Sequence, residues 1–227
     1  MISLALVPAA GSAAPGQVAA AAALTLRPHP ASRGIDLRAR LELGLDVAPQ
    51  PANPFDPDEM RVQLELRDPS GRTTAVDAYW FQDFERALAG NREVLTPRGD
   101  PYWKAACTPT EPGPWRWRWT VATPAASRST QWHELSVSSR PAGPGFLRVS
   151  PRDPRYLVHD DGTPYFAIGE NLAWYDRRGT HAYDDWLDEL AAQGATWIRV
   201  WMPEHGMGIE AEDTGLGDYT CRGGGGS

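Results

Sequence analysis

The sequence predicts a mainly β protein: an immunoglobulin-like antiparallel β-sandwich over residues 35–137, followed by one βαβ unit. Three observations lead there. Short runs of alternating apolar and polar residues recur between Gly/Pro turns through residues 35–137, without helical periodicity, as sandwiches require. A Pro/Gly/Ser stretch, residues 138–145, then marks a linker with no side chains to bury. Beyond it, an apolar run, an amphipathic helix pattern and a second apolar run follow in order, the signature of a right-handed parallel unit.

Residues 1–34 read as a first strand, Ile2–Val7, with an Ala-rich connection. This segment lacks a basic n-region, and Pro8, Gly11, Pro15 and Gly16 interrupt any apolar h-region. A cytoplasmic location is therefore favoured over secretion. From Ile35 to Val47 apolar and polar residues alternate throughout, which predicts one long strand with Gly44 as a bulge. Pro49, Pro51, Pro54 and Pro57 break it. Val62, Leu64 and Leu66 give the next strand, ended by the turn Asp68-Pro-Ser-Gly71. Ala75–Phe81 follows as a strand, and residues 89–101 read as a polar, turn-rich loop. Tyr102–Thr108 and Trp115–Val121 are expected to pair as a hairpin, and Trp132–Val137 supplies a further strand.

Past the linker, Asp160-Asp161-Gly162 signals a hairpin turn between flanking strands. Tyr165–Gly169 reads as a strand buried on both faces. Tyr183, Trp186, Leu187, Leu190 and Ala191 recur at helical spacing, with Asp184 and Asp185 in the first turn and Gly194 as the stop. Ala195–Met202 is the second apolar strand. Residues 146–220 thus form the second unit, and residues 221–227 a Gly-rich tail.

The chain has 227 residues, 41% hydrophobic and 22% charged, enough for a core of ordinary size. A net charge of −7 argues against a nucleic-acid partner, which needs a basic surface. No run approaches the ~18 apolar residues of a membrane span. Ten tryptophans need a core or a ligand to cover them. Trp115, Trp117 and Trp119 share one strand face and are expected in the core rather than in a sugar-stacking strip. Arg116 and Arg118 face solvent on the other side. Trp80, Phe81 and Phe84 are alternatives that would project onto the second unit. Cys107 and Cys221 show neither a disulfide framework nor metal spacing, and Cys107 is expected to be a small buried residue. Glu204-His205 resembles half of a metal motif, but no second His or Cys stands at a suitable spacing, so no metal and no cofactor are expected.

Two segments carry a family resemblance. Asn53-Pro54-Phe55-Asp56, the Asp68–Gly71 turn and Tyr102–Trp115, with its Pro-x-Glu-Pro-Gly-x-Trp motif, resemble a β-sandwich domain of unknown function. That domain precedes the barrel in a group of bacterial glycoside hydrolases; Cys107 stands where it carries an aromatic. Arg155–Asn171, Trp174 and Leu190–Trp201 resemble the opening of the β/α barrel of the large retaining-glycosidase clan. The second unit is then an incomplete barrel start.

The resemblance implies a glycan or glycoside as partner. Working groups of such barrels sit at the C-terminal ends of the strands. Asn171 and Trp174 would face the sugar, and Arg199 would hydrogen-bond the nucleophilic carboxylate, lowering its pKa. Trp201, Glu204 and His205 would complete the substrate-binding set. The nucleophile and acid/base carboxylates, about 5–5.5 Å apart in retaining enzymes, come from the fourth and seventh strands. The chain reaches its Gly-Gly-Gly-Gly-Ser tail soon after the second strand. It is therefore expected to be an N-terminal fragment of a retaining O-glycosyl hydrolase, without catalytic residues of its own. Glu170 with Glu204 is a poor substitute pair, since nothing would shape a sugar subsite around them. The competing expectation is a carbohydrate-binding or docking sandwich without enzymatic activity.

Overall fold

The computed structural model describes residues 23–172 and 176–200. The predicted strand Ile2–Val7 and Cys221 lie outside them. In chain order the first part contains β1 (Thr25–Pro28), β2 (Gly34–Leu37), β3 (Leu41–Ala48), β4 (Arg61–Arg67) and β5 (Thr73–Asp77). It continues with β6 (Tyr79–Ala89), β7 (Arg92–Cys107), β8 (Gly113–Ala122), β9 (Ser127–Ser129) and β10 (His133–Pro141). One sheet has the order β1-β3-β7-β6; the other runs β2-β10-β8-β4-β5, with β9 pairing on β8. All these pairs are antiparallel except β2 with β10.

The two sheets share one core, which makes the fold mainly β and sandwich-like. One face is built by Leu41, Leu43, Leu45 and Val47 of β3 with Trp103 and Ala105 of β7. The other is built by Val62, Leu64 and Leu66 of β4, the tryptophans of β8, and Leu135 and Val137 of β10. Burial alternates strictly along β3 and β4, as a strand covered on one face demands. Trp119 is fully buried, and Trp115 and Trp117 nearly so. The tryptophan row is therefore core. Burying one indole removes ~150–250 Å² from water, worth about 4–6 kcal/mol before conformational entropy is counted. Arg116 and Arg118 lie on the outer face, paired with Glu134 (3.0 Å) and Glu65 (2.8 Å).

Several expected strands are divided differently. Ile35–Val47 is two strands in different sheets, β2 and β3. Arg38, in a left-handed backbone (φ 65°), turns the chain between them, and its N–H donates to the Pro109 carbonyl. Alternation survives the turn because both sheets face the same core. Gly44 is no bulge, since β3 keeps an unbroken register with β7. It permits close approach instead: the His29 N–H donates to its carbonyl, and a Cβ there would overlap the His29 ring.

Ala75–Phe81 is also split. The chain leaves β5 in one sheet and enters β6 in the other at Ala78, whose N–H donates to the Val62 carbonyl at 2.8 Å. The segments Tyr102–Thr108 and Trp115–Val121 are not a hairpin but face each other across the core, in β7 and β8. Residues 89–101 are mostly strand: β6 and β7 form a long hairpin closed by Gly90-Asn91. β10 runs to Pro141, through residues 138–141 of the expected linker: after an irregularity beyond Val137 that shifts the register, Pro141 pairs with Leu37.

Beyond Pro141 come β11 (Leu147–Val149), β12 (Leu157–His159) and β13 (Pro164–Tyr165), a small antiparallel sheet. The Asp160-Asp161-Gly162 turn joins the last two, and the His159 N–H donates to the Thr163 carbonyl at 2.9 Å. Then follow β14 (Gly169–Leu172), helix α1 (Thr180–Ala192) and β15 (Trp197–Val200), with β14 and β15 parallel. The expected βαβ order is present, but Tyr165–Gly169 is not its buried first strand. Phe166 and Ile168 are exposed, and pairing starts only at Gly169.

Candidate functional site

The parallel pair brings two of the predicted site residues together. Asn171 of β14 and Arg199 of β15 are direct register partners, and both are exposed. Partners in adjacent strands project to the same face, so the amide and the guanidinium stand side by side. Glu170 is paired with Ile198 one step earlier. Trp174, Trp201, Glu204 and His205 lie outside the described residues.

Thr196 fixes this pair. Its hydroxyl donates to the Phe166 carbonyl (2.6 Å) and accepts from the Ile168 N–H (3.1 Å). Its own N–H donates to the Ile168 carbonyl (2.7 Å), and the Tyr165 hydroxyl donates to the Thr196 carbonyl (3.1 Å). Four hydrogen bonds at the entrance to the two strands set the register that puts Asn171 beside Arg199.

A second cluster, missed in the sequence, ties α1 to the sandwich. The β6–β7 hairpin reaches the N-terminus of α1, and Glu93 enters it with only 6% of its surface exposed. Its carboxylate accepts from the Thr180 backbone N–H (3.0 Å) and from the Thr180 hydroxyl. The Glu93 N–H donates to the Arg177 carbonyl (3.0 Å). Arg86, across the hairpin, donates to the Thr180 hydroxyl (2.7 Å) and pairs with Asp184 (2.6 Å). Gly179 precedes the helix with φ 57° and ψ −127°, a backbone that favours glycine, and a Cβ there would overlap the Glu93 carboxylate. α1 has no side-chain cap from its own N-cap residue, so Glu93 supplies the acceptor and the negative charge that a helix start favours.

Neighbouring groups are shifted by clear causes. Hydrogen bonds from the Arg178 side chain and backbone hold Asp176 below the usual carboxylate range. Burial raises the Tyr183 phenol. The signal for the hairpin was Gly90-Asn91, a recognised two-residue hairpin turn. Pro97, Gly99 and Pro101 hid it, since they usually end strands.

Two concavities also mark the surface. One, about 750 Å³, opens on the β11–β13 sheet among Val149, Tyr156, Leu157 and Phe166, all exposed apolar residues. The other, about 530 Å³, lies between residues 28–33 and the start of β10. Among the described residues no group of three or more His, Cys, Asp or Glu side chains is arranged to hold a metal. Nor is any helix there long and apolar enough to cross a membrane.

The fold and site thus define a mainly β, sandwich-like protein with an appended parallel strand pair. Residues 39–122, from just before β3 to the end of β8, match the model of a family described as Domain of unknown function (DUF5060). Among solved structures the chain is similar to a candidate glycoside hydrolase from Bacteroides vulgatus ATCC 8482, at 15% identity and a TM-score of 0.41. That likeness covers 66% of this chain and 25% of the other. An engineered protein is similar at 14% identity and a TM-score of 0.32, over 51% of this chain and 20% of that one. The chain therefore spans a quarter or less of the length of these structures. No curated protein matches.

Proposed function

We propose that this chain is the N-terminal portion of a carbohydrate-active enzyme of the retaining O-glycosyl hydrolase type. An immunoglobulin-like sandwich carries the first strand–helix–strand of a β/α barrel. The observation that carries the reading is the register of Asn171 against Arg199 on parallel strands joined by one helix. In this reading the guanidinium holds and ionises a nucleophilic carboxylate supplied by another strand. The Asn171 amide meets a sugar hydroxyl beside it. Trp174, Trp201, Glu204 and His205 extend the sugar-facing set. The family match over residues 39–122 falls within the sandwich half, the part whose sequence resembles the domain that precedes such barrels.

Retaining hydrolysis needs two carboxyl groups about 5–5.5 Å apart across the scissile bond. The reading assigns both to strands other than β14 and β15, so this strand pair supplies supporting side chains. The test is incubation of the purified chain with a panel of aryl glycosides. The expected result is no release of the chromogenic phenol above the buffer rate. Turnover that disappears on heating the protein would overturn the assignment.

A further inference from the structure

The contact between the β6–β7 hairpin and α1 holds two groups whose needs the capping role of Glu93 leaves unmet. The Glu93 side chain is only 3% exposed, and its hydrogen-bond donors, the Thr180 N–H and hydroxyl, are both neutral. Among the described residues no arginine or lysine forms an ion pair with it. A buried carboxylate is costly unless an opposite charge accompanies it. The ring that approaches it is His181, in the first turn of α1, whose Nε2 stands 4.0 Å from Glu93 Oε1. That nitrogen is buried and has no hydrogen-bond partner. At 4.0 Å a neutral imidazole makes no hydrogen bond to the carboxylate. The His181 side chain as a whole is 27% exposed, so the ring is within reach of solvent protons.

The surrounding charges are already matched to one another. Arg86 from β6 pairs with Asp184 of α1 at 2.6 Å. Arg178, in the loop before the helix, pairs with Asp176 at 2.9 Å and with Asp185. Arg177 offers its backbone carbonyl to the Glu93 N–H. Burial raises the Tyr183 phenol, which keeps its proton at neutral pH. What remains for Glu93 is the partial positive charge of the α1 N-terminus and whatever charge His181 carries. Free carboxylates titrate near ~4 and free imidazole near ~6.5. In mildly acidic solution the imidazole is therefore the group of this contact that takes a proton. A protonated ring donates from both nitrogens, and its attraction to an anion is stronger away from bulk water.

We propose that Glu93 and His181 form a proton-operated latch between the sandwich and the second unit. A proton bound at His181 completes a charge pair with the buried carboxylate and fastens α1 to the hairpin. Without that proton, α1 is held by the Thr180 and Arg86 bonds alone. The sign follows from linkage. A histidine that gains an anionic partner on docking adds stability that is full below its free value of ~6.5 and is lost as pH rises through its docked value. Docking is thus tightest in mildly acidic solution. The latch rests on the hairpin–helix contact and not on the sugar chemistry proposed for β14 and β15, so it stands whether or not the chain belongs to a hydrolase.

The experiment is hydrogen exchange of the full chain at about pH 5.5 and about pH 7.5, on either side of the free imidazole value of ~6.5. It is read by mass spectrometry and corrected for the intrinsic effect of pH on exchange. Residues 180–192 should be about fivefold better protected at the lower pH. His181→Gln cannot take the proton, and Glu93→Gln keeps an acceptor for Thr180 but not the charge; each should abolish the difference. Circular dichroism shows whether each variant is folded, and where one is not, the other decides. Equal protection at the two pH values, or better protection at the higher one, overturns the proposal. A difference that survives in either folded variant assigns the effect to other groups and overturns it as well.

Discussion

Glu93 in the β6–β7 hairpin receives a hydrogen bond from the backbone N–H of Thr180 at 3.0 Å, far along the chain at the first turn of α1. A hairpin arm of the sandwich thus caps a helix of the appended unit. Loss of a capping side chain costs about 1–2 kcal/mol. Glu93→Ala should therefore loosen α1 by that order, and Glu93→Gln by less, because the amide oxygen still accepts. Hydrogen exchange read by mass spectrometry should speed up over residues 180–192 in the alanine variant. Strands β3, β4 and β8 should keep their protection.

Trp119 is fully buried between the two sheets, and its indole N–H finds no partner there. Trp119→Ala should cost ~3–5 kcal/mol through the cavity left behind. Trp119→Phe should cost less, since it removes the unpartnered N–H and retains most of the ring. Urea unfolding followed by circular dichroism distinguishes the two. Arg116→Ala on the outer face should change the unfolding free energy by no more than about 1 kcal/mol, as exposed ion pairs do.

Asp68 opens the turn after β4, and its side chain accepts from the Ser70 hydroxyl (2.6 Å), the Arg72 N–H (2.9 Å) and the Arg72 guanidinium (3.1 Å). These bonds, the Ser70 one foremost, hold its carboxyl below the usual range. A depressed folded pKa gives stability that is complete above the unfolded value, near ~3.9. That stability disappears as pH falls through the folded value. The same sign holds for Asp36, lowered by Arg140 and Ser138, and for Asp160, lowered by Arg148 and the Phe146 N–H. The denaturant midpoint should fall as the solution is acidified below about pH 4. Asp68→Asn should be less stable at pH 7 and show a shallower acid dependence.

Burial pushes the Cys107 thiol up to about 11. At pH 8 almost none is thiolate, the reactive form. Iodoacetamide should label Cys107 slowly in the native protein and rapidly in urea, which peptide mass spectrometry can follow. Fast native labelling at this position would contradict its place in β7.

The tryptophan row, the Asp68–Gly71 turn and the strand–helix–strand order were legible because each is a local pattern with a local cause. Sheet membership was not. Period-two alternation reports which side faces the core, and in a sandwich both layers face the same one. Leu37 and Leu41 therefore look continuous although the chain changes layer between them. Adjacency misled in the same way for Tyr102–Thr108 and Trp115–Val121, which oppose each other instead of pairing. The outer half of the hairpin escaped because residues such as Leu88 and Val94 are exposed and carry no alternation to read. At the candidate site, the family resemblance named Asn171 and Arg199, and the structure makes them register partners on adjacent strands. The burial of Glu93 and the unpartnered nitrogen of His181 arise only from packing between distant segments.

β7 extends from the arm that holds α1 to the centre of the core, where Trp103 lies under the second layer. Its sixteen residues give a contour of roughly 50 Å at ~3.3 Å per residue. Tension applied to the helix is handed along one backbone directly to the most deeply anchored side chains. The sandwich then works as an anvil for the helix: α1 is braced at its N-terminus by a beam whose far end lies among the buried side chains of the core.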